Sequence, residues 1–380
     1  MRERAGGGTR VGVAIVVMGA TLCATLCATR LAVAEPWLAL RGAYYKERAT
    51  RVVQPMLDAH LEPTAGSAID AHLLVDTITS ASASTGSMIE FTERRWELGL
   101  AWLTEVGRRA RAGLSTKVSQ EGDYSSFFGA VRGELEFAER NTTVVLVVGR
   151  GFDEITNGVA TGEGSIGTPR QTEALSTGLT SIGVTQLLGR RLIGTLTYDF
   201  IDLHGFQANI YRVVRVGETR APETVPELRL RHALHAGLRA YVPATRSVLA
   251  VGYRFYVDDW GIVAHTPQLR ISQELAHGLE LRASYRFHSQ GAADFFADQY
   301  GQEEVDAALA GRGFVVDDEK LSAHRTHVLR GQLELALARF GATGRIGEMR
   351  VDVVVERIVQ ETAFGNAWAA QVGLWVPLDE

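Results

Sequence analysis

The chain has 380 residues, 46% of them hydrophobic and 22% charged, which excludes an intrinsically disordered protein. A formal charge of −5 leaves no basic footprint, so nucleic acid is not an expected partner. After the N-terminal segment no apolar run approaches the roughly 18 residues of a membrane helix, which argues against a helical membrane protein.

Residues 1–34 read as a secretory signal peptide. Arg2, Arg4 and Arg10 give a positive start, Val11 to Ala28 is apolar and rich in small residues, and Ala32-Val33-Ala34 has the form of a cleavage site. An N-terminal membrane anchor is the alternative, for which the apolar stretch is short. Both cysteines, Cys23 and Cys27, lie in this segment. Leu22 and Leu26 stand where a lipidation signal has a small residue. Residues 35–380 form one expected domain without a thiol for a disulfide, a nucleophile or a metal.

From residue 37 onward the dominant signal has period two. Gly129, Val131, Gly133, Leu135 and Phe137 alternate with Arg132, Glu134 and Glu136; Leu228, Leu230, Leu234, Leu238 and Val242 alternate with Arg229, Arg231, His235, Arg239 and Tyr241. Leu279 to His288 and Met349 to Glu356 repeat the pattern. This is strand periodicity. The segments run to about 10–15 residues, beyond the usual ~5–6 of a globular strand and long enough for a tilted membrane-spanning one.

Sixteen candidate strands follow in chain order: 37–45, 51–62, 68–79, 90–103, 109–119, 124–138, 141–150, 174–187, 191–204, 227–242, 246–257, 262–275, 279–289, 324–338, 345–359 and 364–378. The first is the weakest, and without it and one partner the count is fourteen. Connections after even-numbered strands are short, whereas 80–89, 151–173, 205–226 and 290–323 all follow odd-numbered ones. Short periplasmic turns and long external loops have this alternation in outer-membrane barrels. The expected fold is a single antiparallel transmembrane β-barrel, closed because a bilayer leaves no edge unpaired. Trp37, Tyr44, Tyr45, Trp102, Phe137, Tyr198, Phe200, Tyr253, Phe255, Tyr285, Phe287 and Trp368 are candidate interface aromatics. Trp375 is a candidate terminal signal for the barrel insertion machinery, although Asp379 and Glu380 follow it.

Several segments resemble a family of uncharacterised Gram-negative outer-membrane proteins, domain of unknown function 3570. They include Ala43-Tyr44-Tyr45-Lys46-Glu47-Arg48, Leu73 to Ser82, Tyr211 to Val216, Leu230 to Leu234, Tyr253 to Gly261 and Tyr285 to Phe296. The resemblance spans almost the whole of residues 35–380 and implies the barrel. It carries no assigned activity.

On the charged faces, Asp58, Asp70, Asp76, Glu97, Glu134, Glu136, Asp199, Glu274, Glu280, Glu334, Glu348, Asp352 and Glu356 are expected to point into the lumen. With them go Arg95, Arg109, Arg111, Arg132, Arg229, Arg231, Arg239, Arg254, Arg270, Arg282, Arg286, Arg330 and Arg350. Such charges either screen solutes in an aqueous channel or pair and close the interior. A sixteen-strand barrel is wide enough for a channel.

The 290–323 connection is acidic, with Asp294, Asp298, Glu303, Glu304, Asp306, Asp317, Asp318 and Glu319 against Arg312 and Lys320. It either folds inward, narrowing the pore, or outward as a solvated cap or a Ca²⁺ or partner site. Gln302 to Ala310 reads as a short helix. Asp258 and Asp259 are weak metal candidates, since Asp-rich tight turns usually satisfy their own backbone. Gly162, Gly164 and Gly167 match a dinucleotide pattern by letter only, without its strand and helix. His60, His72, His235 and His288 are candidate lumen histidines, but His232 and His235, like His324 and His327, face opposite sides of a strand, and no serine sits in a nucleophile turn. An enzyme is therefore not expected, with an outer-membrane hydrolase as the alternative, nor a cofactor.

The leading expectation is an outer-membrane, porin-like channel passing small solutes by diffusion, with outer-membrane lipids and the insertion machinery as partners. The rival is a closed barrel acting as a surface scaffold or receptor through its long loops.

Overall fold

Strands with one apolar and one charged face leave unpaired backbone at both sheet edges, and closure removes it. The computed structural model describes residues 36–48, 50–81, 90–157, 171–210, 212–217 and 219–378. The proposed signal peptide, its cleavage site and the Gly162–Gly167 motif lie outside them.

The first nine strands are β1 (Trp37–Lys46), β2 (Thr50–Thr64), β3 (Ser67–Ala81), β4 (Glu90–Val106), β5 (Ala110–Gln120), β6 (Tyr124–Phe137), β7 (Thr142–Asn157), β8 (Gln171–Gly189) and β9 (Leu192–Gly205). A small hairpin, β10 (Val213–Val216) and β11 (Thr219–Pro222), stands apart. The chain returns with β12 (Leu228–Val242), β13 (Ser247–Asp258), β14 (Val263–Ala276), β15 (Leu279–Gln290), β16 (His324–Ala336), β17 (Arg350–Gln360) and β18 (Ala367–Pro377). Each barrel strand pairs antiparallel with its sequence neighbours, β9 pairs with β12, and β1 closes on β18 from Trp37↔Pro377 to Lys46↔Trp368. The sixteen-strand expectation holds.

Leucines, valines and aromatics stand exposed at alternate positions on the outside, among them Leu40, Leu98, Leu100, Val131, Leu146, Leu238, Leu269, Leu329 and Val372. The intervening positions face the lumen. Turn chemistry fixes the strand ends. Gly205 closes β9 at φ +118°, and a Cβ there would fall against the carbonyl oxygen of Ala174, which accepts from the Phe206 N–H at 2.9 Å. Gly205→Ala is expected to cost roughly 2–3 kcal/mol, read as a lower urea midpoint of the gel-shifted folded form. A shift within experimental scatter would contradict that reading of the turn.

Three local expectations need correction. The segment expected as a strand from residue 345 is a short helix, α2 (Gly344–Glu348), and β17 begins at Arg350. Gly341 and Gly344 at positive φ break the extended chain there, and Glu348 leaves the lumen with the helix. Arg109 likewise sits in the turn between β4 and β5 rather than on the wall. Trp37 and Tyr45 share the inward parity of Arg41, not the outward parity of Leu40 and Tyr44. Trp37 stacks on inward His60 at 6.0 Å. The other helix, α1 (Gln302–Leu309), lies where the sequence suggests one.

Candidate functional site

The lumen wall has two unlike halves. On the β1–β6 side the acids are matched by cations. Asp58 accepts from Arg41 Nε at 3.0 Å and contacts His72 Nδ1 at 2.7 Å. Asp76 pairs with Arg95 at 2.5 Å and Glu97 with Lys117 at 3.4 Å. Glu134 sits between Arg111 at 3.1 Å and Arg132 at 2.6 Å. Glu136 is held by Arg140 at 3.0 Å, and Asp70 by His60 at 2.7 Å. Each of these acids thus has a basic partner on its own stretch of wall.

The β12–β16 side differs. Arg282 is clamped by Glu280 at 2.8 Å and Glu334 at 3.0 Å, and Arg350 also reaches Glu334 at 3.2 Å. Among the described residues, however, Arg239, Arg254, Arg270 and Arg286 have no ion pair, and Arg254 lies only over the Tyr256 ring at 5.4 Å. Register places Arg239 beside Ala250, Ala250 beside Arg270, Arg270 beside Ser284, and Ser284 beside Arg330. Guanidinium groups thus recur on alternate strands of one row, about 10 Å apart by strand spacing, with small residues between. Arg330 closes the row against Glu356 at 3.7 Å. Like charges held without counter-charges raise the local potential and attract anions. Asp352 also faces the lumen, on β17 opposite Gly373.

At the end carrying the long connections, a small folded cap sits on the rim. Val214, Val216 and Ala221 of the β10–β11 hairpin pack with Val305 and Ala308 of α1 and with Val315. A second cluster joins Trp260 and Ile262 to Ala293, Val316 and Leu321. Inward-facing Tyr256 packs against the second cluster, and the guanidinium of inward Arg229 lies 4.1 Å from the Trp260 ring centroid. The cap is therefore seated on the lumen side of the rim. Arg212 donates to the Asp317 carbonyl at 2.8 Å and covers the Phe364 ring at 5.3 Å. It thereby links the β9–β12 and β17–β18 connections past the strands between them.

The acidic residues of the 290–323 connection divide by role. Glu304 accepts from the Gly301 N–H at 2.7 Å and Asp306 from Gln302 at 2.8 Å, with Glu303 beside them in the first turn of α1. Asp294 packs against Gly261, while Asp298 is exposed. Asp318 caps the short turn Glu319–Leu321 and lies 3.8 Å from Arg212. Asp258 is wholly enclosed. It accepts from Arg229 at 2.9 and 2.5 Å, from the Tyr256 hydroxyl at 2.7 Å, and from the backbone N–H groups of Trp260 and Ile262 at 3.2 and 2.9 Å. Asp259 accepts from the Leu230 N–H at 2.8 Å. Protein donors thus occupy both carboxylates of this turn. The Nε of half-buried Arg231 beside them is itself buried and finds no partner among the described residues.

Burial in the cap pushes Glu223 up to about 7, against the lowering effect of the Asp317 N–H, which it accepts at 2.9 Å. Asp318 raises it further and Arg212 opposes. A carboxyl whose folded value lies above the ordinary one stabilises the fold when protonated. That contribution is complete below about pH 4.5 and is lost as pH rises through about 7. Protease cleavage of the cap should therefore accelerate between pH 5.5 and 8.5, by on the order of 1–3 kcal/mol in opening free energy. Glu223→Gln should stay protected throughout, and a wild-type cap equally protected at both pH values would contradict the assignment.

The structure also shows a cluster that the sequence reading missed. Glu93 of β4 and Glu121 and Asp123 of the β5–β6 turn bring carboxylate oxygens within 4.8 Å of one another. Burial and then Glu93 push Glu121 up to about 7. The three carboxylates offer oxygen ligands of the kind a hard divalent cation takes, with water to complete its shell. The only signal in the sequence was Glu121 and Asp123 two apart in a turn.

The histidines separate by face. His60, His72, His235 and His288 lie inward as expected, whereas His232, His265 and His327 lie outward, each beside a tyrosine and a phenylalanine.

The profile of the protein family described as "Protein of unknown function (DUF3570)" matches residues 88–338. The chain belongs to this family. No curated protein matches this DUF3570 member in sequence. Among solved structures, its backbone is similar to Pseudomonas aeruginosa OccK3 (OpdO), at 10% identity over 90% of this chain and 94% of that one, with a TM-score of 0.46. A bacterial polysaccharide outer membrane secretin is similar at 8% identity, 91% and 99% coverage and a TM-score of 0.49. A BenF-like porin from Pseudomonas fluorescens is similar at 10% identity, 92% and 99% coverage and a TM-score of 0.45. Likenesses this distant say nothing of what this chain transports or binds.

Proposed function

We propose that this DUF3570 protein is an outer-membrane channel that passes small solutes by diffusion, without catalysis, and that its basic wall favours anions. Residues 1–34 would direct export, the insertion machinery would fold the chain into the membrane, and outer-membrane lipids would surround it. The reading rests on one observation. The outside is apolar along the strands, while the inside carries arginines on β12 to β15 that have no acidic partner. An apolar exterior suits lipid, and uncompensated guanidinium groups suit a passing anion.

Uptake into proteoliposomes tests it. Gluconate should enter faster than N-methylglucamine, an organic cation of similar size. Equal rates would remove the anion preference, and no uptake by folded, inserted protein would remove the channel.

A second reading is favoured by the cap seated on the lumen side of the rim. In it the barrel is closed and displays the cap as a surface scaffold. Full protein that is silent, but conducts once the β10–β11 hairpin and α1 are deleted, would support this reading.

A further inference from the structure

On the outer face of the barrel one arrangement occurs three times. Tyr198 and Phe200 of β9 flank His232 of β12, Tyr253 and Phe255 of β13 flank His265 of β14, and Tyr285 and Phe287 of β15 flank His327 of β16. The Tyr hydroxyl lies 2.7, 2.6 and 2.8 Å from the His Nδ1 in the three stations. The Phe and His ring centroids lie 5.1, 5.4 and 5.0 Å apart. Register builds each station, because Phe200 pairs with His232, Phe255 with His265 and Phe287 with His327. All three sit within the last few residues of their strands, at the cap end.

The chemistry follows from the tautomer. With Nδ1 accepting from the tyrosine hydroxyl, the ring proton resides on Nε2. In all three histidines Nε2 has no protein partner among the described residues, and it stands on the apolar exterior of the barrel. A donor there is costly unless something accepts from it. From β12 to β17 no outward strand position carries a carboxylate, whereas His232, His265, Arg325, His327 and Arg357 all stand there. The face is therefore suited to an anionic acceptor.

Below the first two stations lies an apolar groove of about 450 Å³ lined by Leu196, Leu238, Val251 and Tyr253 over Gly194 and Ala236. Tyr253 belongs both to the groove and to the His265 station. The β9–β12 and β13–β14 stations are two strands apart, about 10 Å by strand spacing. That interval suits neighbouring lipid molecules in a row better than one folded partner.

We propose that the β9–β12–β13–β14 face binds a lipid with an anionic phosphate headgroup. The Nε2–H groups of His232 and His265 each donate to the phosphate of one such lipid, and an acyl chain lies in the groove over Gly194 and Ala236. The proposal rests on the reading that the exterior is embedded in a membrane.

Native mass spectrometry of the full, refolded chain titrated with phosphatidylglycerol and with diacylglycerol, which lacks the phosphate, tests it, with insertion into vesicles scored in parallel by heat-modifiable migration. Wild type should bind phosphatidylglycerol roughly five- to tenfold more tightly than diacylglycerol. His232→Leu/His265→Leu, which removes both donors, should lose that preference while still migrating as a folded barrel, and Ala236→Phe should weaken both lipids together. A wild-type barrel that inserts but shows no preference, or a double leucine variant that keeps it, overturns the lipid site and leaves the membrane reading standing. Failure of wild type to insert overturns the membrane reading instead, and the lipid site with it. A mass of two chains that Ala236→Phe abolishes would make the face a subunit contact, which also overturns the lipid site.

Discussion

Replacing Asp258 with alanine is expected to destabilise the barrel by about 3–5 kcal/mol, the usual cost of removing one partner from a buried ion pair. The side chain is fully enclosed, Arg229 is nearly so, and five donor contacts converge on the two carboxylate oxygens. Alanine would strand the Arg229 guanidinium against the Trp260 ring with no counter-charge. It would also release the backbone of the turn into β14, where Gly261 adopts φ +84°. Because Trp260 and Ile262 belong to the cap core, the loss should spread to the cap, which would become cleavable by protease before the barrel unfolds. Asp258→Asn should cost less, since an amide oxygen still accepts from the backbone. Urea unfolding followed by gel shift measures both variants, and an alanine loss below about 1 kcal/mol would contradict the clasp.

The second large effect is on ion preference. Arg239→Glu/Arg270→Glu reverses two charges in the row across β12 to β16. At separations of several ångströms and water-like screening, this changes an ion's energy by on the order of 1–2 kcal/mol, about a tenfold change in the anion-to-cation ratio. The reversal potential under a KCl gradient should move from the chloride side toward the potassium side. The same reversal at Arg132, which already serves Glu134 at 2.6 Å, should disturb folding more than selectivity. An unchanged reversal potential in the double variant would show that this row does not face the conduction path.

The barrel was legible in the sequence because period two writes the lumen and the exterior on alternate residues. The Leu228 to Val242 stretch shows both faces without any structure. Loop-length alternation added the strand count. Smaller features fell below that signal. The β10–β11 hairpin has strands of four residues, too short for a period to register, and its burial depends on Val305 and Val315 far along the chain. The strand expected from residue 345 gives way at 344–348 to a helix, because glycines at positive φ turn the chain there. Trp37 could have been placed inward from its parity with Arg41, since aromatic type alone does not choose a face.

The site was legible only in part. Parity placed Asp58, Glu97, Arg111, Arg254, Arg282, Arg286 and their companions on the wall. It could not show that Arg282 is clamped by two glutamates while Arg239 and Arg270 stand alone, because pairing depends on register between strands that are far apart in sequence. The Tyr–Phe–His stations were hidden for the same reason. Each half lies on a different strand, and only register brings them together.

The most direct test of the central claim is single-channel recording of the full, refolded protein in a planar bilayer under a KCl gradient. Stepwise conductance is expected, with a reversal potential displaced toward that of chloride. Membrane-inserted, heat-modifiable protein that gives no conductance, or a reversal potential at that of potassium, would contradict it.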